Sequence, residues 1–293
     1  MNIGWMKMIE TLIRSGQREQ ARSLLQEAAS AVPTNIYVGL ASARMSHYSY
    51  DYRQALATAT TALEAAQATG NEIGERYALE TQANALRMLG QDDESLARAM
   101  AAVDMFRAAR NKRGEGHALI AKSDALQRFR LEEEALEAAT AALEAFRVAG
   151  NTQEIGIAQQ VRGRLLGIMG RYDECMVATA AALEAARESG NKLGEGGALN
   201  RQAMIFYTLE RHEESLEAAM AAVKAFRESG HRGGEGDALA SQAFALSELD
   251  RDDEAIEVTK AAVEAYREAK DGVGLGVCKV LLAACAKYGQ HLA

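Results

Sequence analysis

Apolar and polar positions divide a representative stretch of the chain into two helices. Between residues 92 and 109, apolar or small side chains stand at Leu96, Ala99, Ala102, Val103 and Phe106, the three-and-four spacing that lines one face of an α-helix. Between 112 and 129 the same spacing recurs at Ala118, Leu119, Ser123 and Leu126. At 1.5 Å per residue each segment predicts a rod about 27 Å long. Two such rods and two short turns use the whole interval before the pattern restarts, so no residues remain for a strand.

The restart comes every 40 residues. Small residues recur at Ala55, Ser95, Ala135, Cys175, Ser215 and Ala255, and again at Ala62, Ala102, Ala142, Ala182, Ala222 and Ala262. A large apolar residue follows each of the second set, at Leu63, Val103, Leu143, Leu183, Val223 and Val263. Aromatic residues share one second-helix position at Phe106, Phe146, Phe226 and Tyr266, with Ala66 and Ala186 as smaller alternatives, and are expected in the core. A fixed internal period of this size predicts a stacked helical array.

The period also settles how to read the glycines. The stretch GNKLGEGGAL at 190–199 has counterparts beginning at Gly70, Arg110, Gly150, Gly230 and Lys270. Gly70, Gly150, Gly190 and Gly230 fall where a helix ends and a left-handed residue is favoured, and the asparagine that follows in most copies is placed to cap the next helix. Gly194 and Gly196 fall inside the first turns of that next helix, where glycine costs up to about 1 kcal/mol relative to alanine. Their recurrence predicts a neighbouring backbone too close for a side chain. A phosphate-cradling loop needs a preceding strand and a terminal G-K-[ST], and the sequence has neither. An active site is built once, whereas a packing device is rebuilt in every repeat.

Once the period is fixed, the N-terminal unit resembles a tetratricopeptide repeat. Trp5, Met8, Leu12, Ala21, Leu25, Ala28 and Pro33 follow that repeat's spacing, with a departure at Ile9, where a small residue is preferred. The small residue returns in the later units at Ala43, Ala83, Ser123, Gly163, Ala203, Ala243 and Ala283. The lengthened period is similar to that of the kinesin light chain and of spindle-orientation adaptors, and to arrays in bacterial regulators. The resemblance implies an all-α, right-handed superhelical solenoid over residues 1–293. Its repeats would run 2–33, 34–70, 71–110, 111–150, 151–190, 191–230 and 231–270, with a capping helix at 272–288.

The resemblance further implies a non-catalytic scaffold or adaptor that binds a peptide segment of a partner in a concave groove lined by the first helix of each pair. The alternatives are a ligand- or peptide-sensing regulatory module and a structural subunit of a larger complex. Carried over in register, the groove residues are Arg44, Tyr77, Asn84, Arg87, Asp124, Arg128, Gln160, Arg164, Asn200, Arg201, Tyr207 and Phe244, with Tyr37, His117, Met204 and Asp237 on the same faces. Second-helix glutamates such as Glu137, Glu144, Glu184, Glu217, Glu257 and Glu264 are expected to face outward. Two readings of the five arginines stand at this point. They line a basic groove for a partner of acidic character, or they are solvated or paired with carboxylates such as Glu80 and Asp124.

Composition narrows the remaining classes. The chain is 48% hydrophobic but 5% aromatic, and its net charge of -8 opposes nucleic-acid binding. No apolar run approaches the ~18 residues that span a bilayer, so a soluble, cytoplasmic protein without membrane insertion is expected. The 3 cysteines and 5 histidines form no ligand cluster. No cofactor, metal or catalytic set is expected, and His47, His212, His231 and His291 receive no role. Cys175 stands at a small core position. The run Val280, Leu281, Leu282, Ala283 and Ala284 is apolar for a capping helix, so self-association through the C-terminal helix is an expectation.

Overall fold

A computed structural model of the chain describes residues 8, 9, 12, 17–31, 35–48, 51–269, 271, 272 and 274–279. Among these residues all regular structure is helical. The helices are α1 (Arg18–Ala31), α2 (Ile36–Tyr48), α3 (Tyr52–Ala68), α4 (Glu72–Met88), α5 (Asp92–Ala108), α6 (Lys112–Arg128) and α7 (Glu132–Ala149), then α8 (Thr152–Ile168), α9 (Tyr172–Glu188), α10 (Lys192–Thr208), α11 (His212–Ser229), α12 (Arg232–Glu248) and α13 (Asp252–Ala269). The chain forms two compact units, Met1–Asn151 and Thr152–Ala293. Of the expected capping helix, residues 272 and 274–279 are helical; residue 273 and everything from 280 on, including the apolar run at 280–284, lie outside the described residues, as do Trp5 and Pro33.

Within each unit consecutive helices form hairpins. In addition, the first helices pack directly on one another, α2 on α4 and α4 on α6 in one unit, α8 on α10 and α10 on α12 in the other. The hairpins are cut to length by a left-handed residue every 20 positions. Gly70, Gly90, Gly150, Gly170, Gly190 and Gly230 hold φ between 63° and 74°, and Arg110, Arg130, Glu210 and Asp250 adopt the same conformation without being glycine. Four of the first helices then open on a side-chain cap of the same kind. Asn71, Asn111 and Asn191 accept the backbone N–H of Gly74, Gly114 and Gly194 at 3.0 Å, which satisfies one of the orphan donors of a helix start. His231, given no role from its spacing, does the same work for α12, its Nδ1 accepting the Gly234 N–H at 2.8 Å.

The early-helix glycines have a different cause from the one expected. The close neighbour is a side chain, most often an aromatic ring, and not a backbone. A Cβ at Gly114 would stand 2.2 Å from the Phe106 ring, and one at Gly116 would stand 2.4 Å from Phe146. Phe226 is gripped from both sides, by Gly196 at 2.8 Å and Gly234 at 2.4 Å, and Tyr266 likewise by Gly236 at 2.7 Å and Gly274 at 2.2 Å. Each aromatic of a second helix is thus a wedge at a glycine of a neighbouring first helix, and all four rings are buried. Where the ring is missing, another group takes up the space. Beside Ala66, Ile36 Cγ2 reaches within 2.9 Å of the Cβ site of Gly74, and beside Ala186 the Gly194 site meets Asn191 at 2.8 Å.

A second recurring contact ties the two helices of a hairpin together. Ser95 Oγ donates to the Ala83 carbonyl at 2.8 Å, Ser215 Oγ to Ala203 at 2.9 Å, and in the opposite direction Ser123 Oγ to Ala135 at 2.8 Å. Cys175 fills the same role, Sγ to the Gly163 carbonyl at 2.9 Å. It is a fully buried small core residue as expected, and burial pushes its thiol above the ordinary value.

The wedge gives a direct test. Gly114→Ala improves helix propensity but overpacks the Phe106 ring, and the second effect wins by about 1–3 kcal/mol. In a Phe106→Ala background, which copies the Ala66 and Ala186 repeats, the same change becomes neutral or stabilising. Urea denaturation of the four members of this cycle measures the coupling, and additive effects would refute the wedge.

Candidate functional site

In the first unit the row of first helices brings the expected residues together largely with one another. Arg44 donates from Nη2 to Glu80 Oε2 at 3.1 Å, with side-chain exposures of 15% and 9%, and its guanidinium lies 5.6 Å from the Tyr77 ring centroid. Tyr77 in turn packs edge-on against Phe106, at 5.6 Å between centroids. Arg87 stands 3.9 Å from Asp124, and Arg128 reaches back to Asp92 at 3.2 Å. Three of the five candidate arginines therefore already have carboxylate partners on a neighbouring helix, which is the second of the two readings. Asn84 is half-buried in the same row, and the Tyr37 hydroxyl donates to Asn71 Oδ1 at 3.1 Å, supporting the cap of α4.

The second unit is arranged otherwise. Gln160 of α8 donates from Nε2 to the Gly194 carbonyl of α10 at 2.7 Å. Tyr207 donates to Glu248 at 2.8 Å, and burial together with that carboxylate pushes its hydroxyl up to about 12. Its ring centroid lies 6.0 Å from that of Phe244, and Met204 and Phe244 are 53% and 36% exposed, so an apolar surface is open here. Asp237 accepts from the Tyr266 hydroxyl at 2.8 Å, and burial raises its carboxyl. Arg201 is half-buried, and desolvation lowers its pKa, the Cys175 thiol opposing that shift and the Arg164 guanidinium adding to it. The Asn200 Oδ1 beside it is buried and accepts no hydrogen bond.

A separate set of charges lies where second helices hand over to first helices. Arg107 and Lys112 hold Glu115 at 2.7 and 2.8 Å, Arg187 and Lys192 hold Glu195 at 3.1 and 2.8 Å, and Arg227 and Arg232 hold Glu235 at 2.7 and 2.6 Å. Lys192 and Arg232 also reach Glu228 and Glu268 on the following second helix. At Glu115 and Glu235 burial alone would raise the carboxyl, but the hydrogen bonds and charges of the two cations outweigh it. At Glu195 the Lys192 hydrogen bond is the largest influence. All three sit below the ordinary carboxylate value. The outer glutamates Glu137, Glu144, Glu184, Glu217, Glu257 and Glu264 are exposed, as their register requires.

Among the described residues, no group of three or more His, Cys, Asp and Glu could hold a metal ion, and no helix is long and apolar enough to cross a membrane. Sequence reasoning named Glu80 and Asp124 as partners but missed Asp92 and Glu248, whose contacts span 36 and 41 residues. It also passed over Gly197, a position without a side chain that stands in register with Tyr77. Comparing the copies at that position would have found it.

A scan against protein-family models finds no match, and a search of curated proteins finds none. Solved structures do match. A signal-transduction ATPase with numerous domains from Pyrococcus horikoshii, which carries a tetratricopeptide repeat sensor, aligns with a TM-score of 0.74 at 17% identity. The alignment covers 97% of this chain but 44% of that one, so the chain spans less than half of the protein it matches there. A Rap protein complexed with competence and sporulation factor aligns at 0.63 and 15% identity over 97% of both chains. NprR in complex with its cognate peptide NprX aligns at 0.65 and 12% identity, covering 98% of this chain and 84% of that one. The fold is the tetratricopeptide-type helical repeat.

The held carboxylates make stability depend on pH with a defined sign. Because the folded-state values of Glu115, Glu195 and Glu235 lie below 4.5, their contribution is complete above that pH and is lost as the pH falls through the folded values. The triple variant Glu115→Gln/Glu195→Gln/Glu235→Gln is expected to be less stable than wild type at about pH 7 and to lose less on going to about pH 3.5. Denaturant midpoints at the two pH values check this, and parallel losses in both proteins would count against it.

Proposed function

We propose that the chain is a peptide-recognition module that holds an extended segment of a partner protein against its first helices and performs no chemistry of its own. The observation that carries this reading is the contrast within each hairpin. First helices carry a continuous row of polar and aromatic side chains, and in the second unit that row includes the exposed Met204 and Phe244, an apolar surface of the kind that anchors a ligand. Second helices turn charged glutamates outward. The neighbours of like fold support the reading, since one is described as complexed with its cognate peptide, another with competence and sporulation factor, and a third as carrying a sensor. Those descriptions favour the sensing form of the module, in which peptide binding is the input, over the plain adaptor form.

The groove reading separates from its competitors by where substitutions act. Peptides selected from a random eight-residue display library on the full chain should lose binding to Met204→Glu/Phe244→Glu by at least about tenfold. They should keep full affinity for Glu137→Lys/Glu217→Lys on the outer face, with helicity by circular dichroism unchanged in both. Loss in the outer-face variant alone, or selection of no peptide, would overturn the reading.

A further inference from the structure

The two units build one seam from different side chains. Between α2 and α4, Arg44 is covered by the Tyr77 ring and neutralised by Glu80 at 3.1 Å. Three periods of 40 later come the corresponding positions between α8 and α10. There Arg44 becomes Arg164, Tyr77 becomes Gly197, Glu80 becomes Asn200 and Thr81 becomes Arg201. The ring and the carboxylate are gone, and a guanidinium has been added.

The geometry of the second seam reflects both losses. A Cβ at Gly197 would stand in ordinary contact with Gln160 Nε2 at 3.6 Å, so no ring covers the seam here and the Gln160 side chain lies beside it. Asn200 Oδ1 is buried without a donor. The Arg201 stem passes Gly163, whose Cβ site lies 3.5 Å from Arg201 Cδ; an alanine-sized residue holds that position in most other repeats. Among the described residues the Arg201 guanidinium makes no hydrogen bond and no ion pair; Cys175 and Arg164 are the charges it feels. A half-desolvated cation without a counter-ion and a buried amide oxygen without a donor both carry a desolvation cost. One ligand bringing a carboxylate and an N–H removes both.

We propose that the seam between α8 and α10 is an acidic-residue subsite. Arg201 binds the carboxylate of an Asp or Glu side chain in the partner segment, and Asn200 Oδ1 accepts a main-chain N–H of the same segment. This inference rests on the peptide-recognition reading and adds to it the residue type recognised. In the first unit the Arg201 position is Thr81 and Arg44 is already neutralised by Glu80, so the subsite belongs to the second unit alone.

A positional-scanning library of eight-residue peptides, with each position fixed in turn as Asp, Glu, Asn or Gln, tests it on the full chain. Wild type is expected to favour Asp or Glu over the amides by roughly tenfold at one position, the size of a charge-assisted contact. Arg201→Gln should erase that preference. Asn200→Glu, which installs the counterpart of Glu80 and supplies the missing counter-ion from within, should erase it too while keeping or raising the thermal midpoint. That second variant guards against a loss caused by misfolding. Peptide binding without an acidic preference, or a preference that survives in both variants, overturns the subsite and leaves the peptide-recognition reading standing. Failure of every peptide to bind overturns both.

Discussion

Everything in this molecule depends on how closely one helical hairpin can approach the next, and that distance is set by an aromatic ring pressed onto glycine. Phe106, Phe146, Phe226 and Tyr266 stand at Cβ sites that no other residue could occupy without displacing the ring. The glycines weaken the helices that carry them by up to about 1 kcal/mol each, and burying a large ring contributes more than that, of the order of 2–3 kcal/mol. At Gly114, Gly234 and Gly274 the caps Asn111, His231 and Asp271 hold the N–H of the same glycine that meets the ring, which helps keep those weakened first turns helical. Propensity, capping and packing therefore meet at one short stretch per repeat.

That spacing is what brings consecutive first helices within reach of each other's side chains. Arg44 to Glu80, Arg87 to Asp124 and Gln160 to the Gly194 carbonyl bridge first-helix positions 34 to 37 residues apart, and Arg128 reaches Asp92 on a second helix. In the first unit these bridges consume the charges that could have faced a ligand. In the second unit the same register carries Gly197, Asn200 and Arg201, and the Arg201 guanidinium and Asn200 Oδ1 keep no internal partner among the described residues. In the proposed subsite, an array of near-identical repeats acquires a local specificity by failing, at one seam, to satisfy itself.

Much of this was legible in the sequence. The 40-residue period, the hairpin, the left-handed glycines, the small crossing positions and the buried aromatics all depend on local spacing, which a sequence displays directly. What could not be read was which group meets which. Glycine signals a close approach but not whether a ring or a backbone makes it, and Phe106 lies eight residues before Gly114 whereas Phe146 lies 30 after Gly116. The two readings of the arginines stay open in the sequence because Arg44 and Glu80, and Arg128 and Asp92, lie 36 residues apart and meet only through stacking. His231 was overlooked because it does the work of an asparagine with a different side chain.

The central claim is that the row of first helices is the recognition surface, and hydrogen exchange tests it most directly. Exchange should be followed by mass spectrometry on the full chain, alone and with a saturating pool of eight-residue peptides carrying a fixed glutamate. The account predicts slowed exchange along α8 and α10, with α9 and α11 unchanged. Protection confined to the second helices, or no protection in either row, would contradict it.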